Sequence, residues 1–146
     1  MCGIVGIWDY KNKIRKEILE RMRDTLAHRG PDDQGIFIDE KNNIGFGHQR
    51  LSIIDLSEAG HQPMIDHNLA IVFNGEIYNF KEIRKELENK GYKFKSNSDT
   101  EVILKSYQEW GKRAVAKFRG MFSFAILNKE NGKLILCRDR AGVKPL

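Results

Sequence analysis

The stretch MCGIVGIW, residues 1–8, decides the fold, because it places a cysteine immediately before an apolar run. The letters IVGIW are typical of a buried strand. If Met1 were removed, Cys2 would carry a thiol and a free α-amine on the same residue. An α-amine has a pKa of about 8 and can accept the thiol proton, so Cys2 is a candidate nucleophile that carries its own base. The alternative is a small core residue at the start of a strand, since free cysteines are often buried.

Composition excludes several classes of protein. A chain of 146 residues suits one domain, and no apolar run is long enough to span a membrane. The net charge of +5 comes from lysines spread along the chain, which predicts solvated helix faces and no nucleic-acid partner. No signal peptide is recognisable. Two cysteines do not form a disulfide framework, so we expect a reducing compartment, the cytoplasm.

The order of predicted elements indicates an α+β protein with largely antiparallel sheet. A repeat of Ile14, Ile18, Met22 and Leu26 predicts a first helix that ends at Gly30-Pro31. Two later helices are predicted to begin at Asn79, as an N-cap, and at a capping box formed by Ser98 and Glu101. Strands are predicted in the runs QGIFID, NIGFGHQR, HNLAIVFNGEIY, GMFSFAILN and KLILCRD.

The run VFNGEIYN contains the second candidate site. Asn74-Gly75 after an apolar strand is a strong hairpin signal. The same turn could also direct the Asn74 amide and the Gly75 N–H at one oxygen, as an oxyanion hole does. Glu76 could offer its carboxylate to a cation.

Arg50 and Asp99 complete the set of candidate residues. Arginine binds a carboxylate through two parallel hydrogen bonds, although an ordinary surface salt bridge also explains Arg50. Asp99 falls in the first turn of a predicted helix, where the helix dipole favours acids. Because Ser98 already supplies the cap, the Asp99 carboxylate is free to bind a ligand. The four histidines lack metal-site spacing, so we expect no metal.

Taken together, these residues describe one ligand. A thiol would attack an amide carbonyl, two donors would hold the oxyanion, an arginine would hold a carboxylate and two acids would hold an ammonium. A free amino acid with a side-chain amide, glutamine or asparagine, has all of these groups.

The chain as a whole resembles the N-terminal glutaminase domain of glutamine-hydrolysing asparagine synthetases, which are class II glutamine amidotransferases. The resemblance covers nearly the whole chain in the family's order, and Ala141 stands where the family has an aromatic residue. It implies an N-terminal-nucleophile hydrolase fold, a four-layer αββα sandwich with two antiparallel sheets. The runs that carry it are MCGIVGI, HRGPDDQG, HQRLSIIDLSEAGHQPM, NGEIYNFKEIRKEL, SDTEVILKSYQEWG, FRGMFSFAI and RDRAGVKPL.

The resemblance also implies a role for each candidate residue. Cys2, freed by loss of Met1, would form a γ-glutamyl thioester with glutamine, and water would then release glutamate. Asn74 and Gly75 would form the oxyanion hole. The glutamine itself would be held by Arg50 on its carboxylate, by Glu76 and Asp99 on its ammonium, and by a pocket wall of Leu51, Ser52, Ile53 and Ile54.

The family continues beyond the end of this sequence, so residues 1–146 are expected to be a C-terminally incomplete glutaminase domain. The synthetase domain that makes asparagine from aspartate would be a partner, in cis or as a separate chain, and a homodimer is possible. No cofactor is expected in this chain, whereas ATP and Mg²⁺ are expected with the synthetase domain. Two alternatives stay open: a non-catalytic glutamine-binding or regulatory module, and an amidotransferase part that serves another ammonia acceptor.

Overall fold

Two antiparallel sheets form the centre of the protein, which a computed structural model describes over residues 1–146. In the first sheet, β1 (Gly3–Trp8) pairs with β3 (Ile44–Arg50), which pairs with β2 (Asp33–Asp39). The second sheet has the order β4-β5-β6-β7, formed by β4 (Met64–Asp66), β5 (Leu69–Ile77), β6 (Gly120–Asn128) and β7 (Lys133–Arg138). The predicted strands are therefore confirmed.

Helices cover the outer faces of both sheets. Helix α1 (Lys16–Asp24) contacts the three strands of the first sheet, whereas α3 (Asp99–Trp110) contacts β4 and β5 of the second and packs against α2 (Phe80–Asn89). The inner faces of β1 and β3 contact β5. The layers are therefore helix, sheet, sheet and helix, as expected for the four-layer sandwich.

Alternation along the central strands divides the core into two parts. One face of β5 and β6 packs against α2 and α3, and the other face meets the first sheet. The helix-facing cluster includes Ile71, Phe73, Ile77, Phe122, Phe124 and Ile126. The cluster between the sheets contains Ile44, Phe46, Ala70, Val72, Ala125 and Leu127.

The first helix differs from its prediction in length and in its buried face. α1 ends at Asp24, and a separate short 3₁₀ turn covers Ala27–Arg29. Leu19 is fully buried, whereas Ile18 is 37% exposed. Gly45 explains the choice of face: a Cβ there would lie 3.0 Å from Leu19 Cδ2, so the absence of a side chain lets Leu19 approach β3.

Asn79 is the first residue before α2, as predicted, but its side chain does not cap the helix. Instead the Asn79 amide donates to the Lys117 carbonyl at 3.0 Å and accepts the Arg119 N–H at 2.9 Å. It therefore ties the start of α2 to the segment before β6.

An apolar groove of about 520 Å³ opens between the two sheets. Its walls include residues 4–8 of β1 on one side and Leu134 and Leu136 of β7 on the other. Both strands are at the edges of their sheets. No helix of the protein combines the length and the apolar character that crossing a membrane requires.

Candidate active site

Cys2 lies just before β1, with its thiol against the chain that follows β3. The Leu51 N–H donates to Cys2 Sγ at 3.4 Å, and Sγ lies 3.7 Å from the Leu51 carbonyl oxygen. Arg29 Nε donates to the Cys2 carbonyl at 3.0 Å. These contacts fix the residue from both sides, so the thiol has one position relative to the end of β3.

A cavity of about 80 Å³ beside Cys2 brings the predicted site residues together. Of those residues, Ser52 alone does not line it; the Ser52 N–H donates to Asp32 Oδ2 at 2.8 Å, outside the cavity. The site residues that do line the cavity are Cys2, Arg50, Leu51, Ile53, Ile54, Asn74, Gly75, Glu76 and Asp99.

The prediction that Asn74-Gly75 forms a turn is wrong. Both residues lie within β5, where Asn74 is opposite Ser123 and Gly75 is opposite Phe122. Pairing with β6 on both sides of the dipeptide outweighs its local turn preference. A side chain at position 75 would overlap the Met121 carbonyl oxygen and would lie 2.6 Å from Phe122 Cα, so glycine is required by the close approach of β6.

The strand still presents two donors, a backbone N–H at its edge and a side-chain amide. Alternate N–H groups of an antiparallel strand point to the same side. On the side of β5 away from β6, the Phe73 N–H donates to Gln62 Oε1 at 2.7 Å, and the Ile77 N–H donates to Asp99 Oδ2 at 3.0 Å. The Gly75 N–H lies between them and faces the cavity, because β4 covers only residues 69–71 of this edge.

Asn74 supplies the second donor. It is 2% exposed and its side-chain amide makes no hydrogen bond within the chain. The amide lines the cavity that contains Cys2. A buried amide with its hydrogen-bonding capacity unused is suited to bind a ligand oxygen.

Two acids, Glu76 and Asp99, also line the cavity. Burial raises the pKa of the Asp99 carboxyl to about 6, the nearby Glu76 carboxylate acts in the same direction, and the hydrogen bond from the Ile77 N–H opposes them. Neither carboxylate is paired with a cation of this chain within 4.0 Å. An ammonium group placed between them would offset the cost of the buried Asp99 charge and the repulsion between the two carboxylates.

Arg50 ends β3 with its side chain buried against the loop that follows. Its guanidinium donates to the Asp55 and Ser57 carbonyls, the latter at 3.0 Å, and lies 3.9 Å from the Asp33 carboxylate. A guanidinium has five N–H donors, so these contacts leave donors for a ligand at the cavity wall.

Burial raises the pKa of the Cys2 thiol above its ordinary value, and the hydrogen bond from the Leu51 N–H and the positive N-terminus only partly offset this. The thiol is therefore protonated at neutral pH. It needs a base within reach before it can attack a carbonyl.

Several residues of the site had no predicted role. Gln62 connects the Phe73 N–H of β5 to Thr100 of α3, through a hydrogen bond of 3.2 Å to the Thr100 hydroxyl. Met1 and Lys144 also line the cavity, and Lys144 Nζ contacts Met1 Sδ. Gln62 and Lys144 lie in the quoted runs HQPM and RDRAGVKPL, but nothing local in the sequence indicates that these runs meet at Cys2.

Comparisons with known proteins agree with this geometry. A family model described as a glutamine amidotransferase domain matches residues 1–146. Asparagine synthetase [glutamine-hydrolyzing] 1 of Bacillus subtilis is 47% identical over 152 residues, which cover 100% of this chain and 24% of that protein. Asparagine synthetase B [glutamine-hydrolyzing] of Escherichia coli is 41% identical over 153 residues, covering 100% of this chain and 26% of that protein. The chain thus spans about a quarter of the length of these relatives.

A solved structure supports the fold. Glutamine phosphoribosylpyrophosphate amidotransferase of B. subtilis, complexed with ADP and GMP, superposes with a TM-score of 0.81 at 21% identity, over 99% of this chain and 38% of that one. The predicted α+β N-terminal-nucleophile hydrolase fold is thereby confirmed.

Proposed function

We propose that this chain, which belongs to the glutamine amidotransferase domain family, hydrolyses the side-chain amide of glutamine to glutamate and ammonia. The observation that carries the proposal is the cavity in which Cys2 meets the free amide of Asn74, the edge N–H of Gly75 and two unpaired acids. Each group matches one part of a glutamine molecule.

The reaction begins at Cys2 after Met1 has been removed. The α-amine takes the proton from the thiol, and Sγ attacks the amide carbon of the glutamine side chain. Asn74 and Gly75 donate to the oxyanion, an interaction worth about 3 kcal/mol per donor in such sites. The carbon–nitrogen bond then breaks, and the α-ammonium returns its proton to the departing ammonia. Water attacks the resulting thioester and releases glutamate.

Binding of the amino-acid end orients the amide toward Sγ. Arg50 pairs with the α-carboxylate, whereas Glu76 and Asp99 hold the α-ammonium. Leu51, Ile53 and Ile54 line the wall between them, and Ser52 holds that wall through its N–H bond to Asp32. Paired buried charges of this kind discriminate strongly against analogues that lack either charged group.

We infer that the ammonia serves asparagine synthesis. The relatives named above are asparagine synthetases, and this chain corresponds to about a quarter of each. The acceptor reaction, with its ATP and Mg²⁺, would then belong to a synthetase domain in cis or in a separate chain. We propose in the same way a homodimer and a cytoplasmic location.

Substitution of the nucleophile tests the proposal. We expect Cys2→Ala to abolish ammonia release from glutamine while glutamine binding, measured by calorimetry, survives, because Arg50, Glu76 and Asp99 are unchanged. Cys137→Ala, at the free cysteine of β7, is the matched control and should leave the activity at the wild-type level. Undiminished activity of Cys2→Ala would refute the assignment.

The state of the N-terminus separates catalysis from the second candidate function, a glutamine-binding or regulatory module. Met1 lines the cavity and its sulfur contacts Lys144, so a retained Met1 both fills the site and blocks the base. Intact-mass measurement should show Met1 absent from active protein. A purified chain that keeps Met1 and still binds glutamine without hydrolysing it would favour the module.

A further inference from the structure

Lys144 is a buried cation without an anionic partner. Its residue is 2% exposed, it lines the cavity beside Cys2, and no carboxylate lies within 4.0 Å of its Nζ. The one contact of the ammonium is the thioether sulfur of Met1. Burial of an unpaired ammonium costs folding free energy, so the buried position of Lys144 requires an explanation.

The C-terminal segment is built to hold this lysine in place. Asp139 Oδ1 accepts the Val143 N–H at 2.9 Å, and Asp139 Oδ2 accepts the Lys144 and Phe122 N–H groups, each at 3.1 Å. Arg138 donates to the Lys144 carbonyl at 2.5 Å and to the Gly142 carbonyl at 2.6 Å. The run RDRAGVKPL is therefore a turn, fixed to β6, that delivers one ammonium to the cavity.

The other charged groups around Cys2 already have partners or predicted tasks. Arg50 bonds the loop after β3 and is assigned to the substrate carboxylate, and Arg29 donates to the Cys2 carbonyl. Asp55 accepts the Ser57 hydroxyl and the Asn97 N–H. Glu76 and Asp99 are assigned to the substrate ammonium. None of these carboxylates contacts Lys144.

Removal of Met1 would leave Lys144 without its contact. The Met1 sulfur that touches Nζ is joined to the nitrogen of Cys2 through the rest of Met1, and Met1, Cys2 and Lys144 line the same cavity. That nitrogen becomes the α-amine when Met1 is lost. Two cations in one small cavity repel each other, so the fixed ammonium disfavours a second positive charge on the α-amine.

We propose that Lys144 is a positioning residue which, after removal of Met1, keeps the Cys2 α-amine neutral and able to accept the thiol proton. The inference rests on the proposed function of Cys2. The neutral amine takes the proton from Sγ as the sulfur–carbon bond forms, and it returns that proton to ammonia as the carbon–nitrogen bond breaks. Lys144 exchanges no proton in either step.

The test is the pH dependence of kcat at saturating glutamine, in Lys144→Met, Lys144→Gln and Lys144→Arg. The two neutral variants should move the acid limb toward alkaline pH by about one unit, because loss of the neighbouring charge lets the amine stay protonated longer. Lys144→Arg should keep the wild-type limb. Lys13→Met, at an exposed lysine without ion pairs, controls for net charge. An acid limb of the kcat profile at the same pH in the neutral variants would overturn the proposal. If the KM for glutamine rose in those variants while the limb stayed in place, Lys144 would instead be assigned to the substrate carboxylate.

A second readout does not depend on activity. The rate at which acetic anhydride acetylates the mature N-terminus, followed by peptide mass spectrometry against pH, reports the neutral fraction of the α-amine. Its midpoint should shift in Lys144→Met by the same amount as the kcat limb. If wild-type protein shows no glutaminase activity, the proposed function fails. An equal labelling midpoint in wild type and Lys144→Met refutes the role of Lys144.

Discussion

The Asp99 carboxylate is buried beside the cavity with one backbone N–H donated to it and no cation of the chain nearby. Burial raises its pKa to about 6, which means that the folded protein stabilises the neutral form. The charge costs folding free energy that grows as the pH rises from about 3.8 to about 6 and is complete above that range. The carboxylate therefore lowers stability in the free protein and gains a partner only when a ligand cation binds.

Asp99→Asn should separate these two effects. We expect the KM for glutamine to rise about tenfold or more with a smaller fall in kcat, because the lost contact is already made in the ground state. The free energy of unfolding at pH 7 should increase by about 3 kcal/mol, since a buried charge is removed. Steady-state kinetics and urea unfolding measure both, with Glu40→Gln as an exposed control. A large loss of kcat at unchanged KM would contradict the binding role.

At the scale of elements, the capping box predicted at the N-terminus of α3 is correct for one of its two residues. Ser98 caps the helix by accepting the Thr100 N–H at 3.0 Å, as predicted. Glu101 does not return to Ser98, however. Its buried carboxylate accepts the N–H groups of Lys95 and Ser96, at 2.9 and 2.7 Å, and the Ser96 hydroxyl at 2.6 Å. It therefore holds the segment that leads into Asp99.

Glu101→Ala should loosen that segment. We expect a loss of about 3 kcal/mol of stability, because the buried Ser96 N–H and the partly buried Lys95 N–H lose their acceptor, and a higher KM because Asp99 is displaced. Thermal unfolding and glutamine titration measure the two effects. Glu88→Ala, at a half-exposed glutamate of α2, should change neither by a comparable amount. Equal stability in both variants would refute the structural role of Glu101.

The elements themselves were largely predictable from the sequence, because apolar alternation and the Ser98 cap of α3 are local signals. The strand at Asn74-Gly75 was not, since pairing with β6 overrides the turn preference of the dipeptide. Six of the predicted site residues were proposed from side-chain and backbone chemistry and the wall of residues 51–54 from the family resemblance; all of them except Ser52 line one cavity. The place of Lys144 in the cavity could not be predicted, because it depends on a turn that brings the two ends of the chain together.

At the scale of the whole molecule, His48 links the two sheets. Its Nε2 lies 3.2 Å from the Phe73 carbonyl oxygen of β5, its Nδ1 has no partner, and burial lowers its pKa to about 4. The unfolded chain gains a proton below about pH 6.5, whereas the folded protein does not until about pH 4. Stability from this group therefore falls as the pH drops through that window.

His48→Gln should flatten the acid side of the stability curve. Between pH 6.5 and 4 we expect wild type to lose about 3 kcal/mol that the variant does not lose, as measured by urea unfolding at several pH values. The Asp99 contribution has the opposite sign but is common to both proteins. His67→Gln, at an exposed histidine, should follow the wild-type curve. Parallel curves for wild type and His48→Gln would show that His48 charges freely in the folded state.

The apolar groove between the sheets also affects the site. Asn74 lines both the groove and the cavity, and β1, which follows Cys2, forms one wall of the groove. The proposed nucleophile thus adjoins the first sheet, whereas the proposed oxyanion donors belong to the second. The width of this mostly apolar groove consequently sets the distance between them, so a change in the packing of the two sheets would alter the geometry of the reaction.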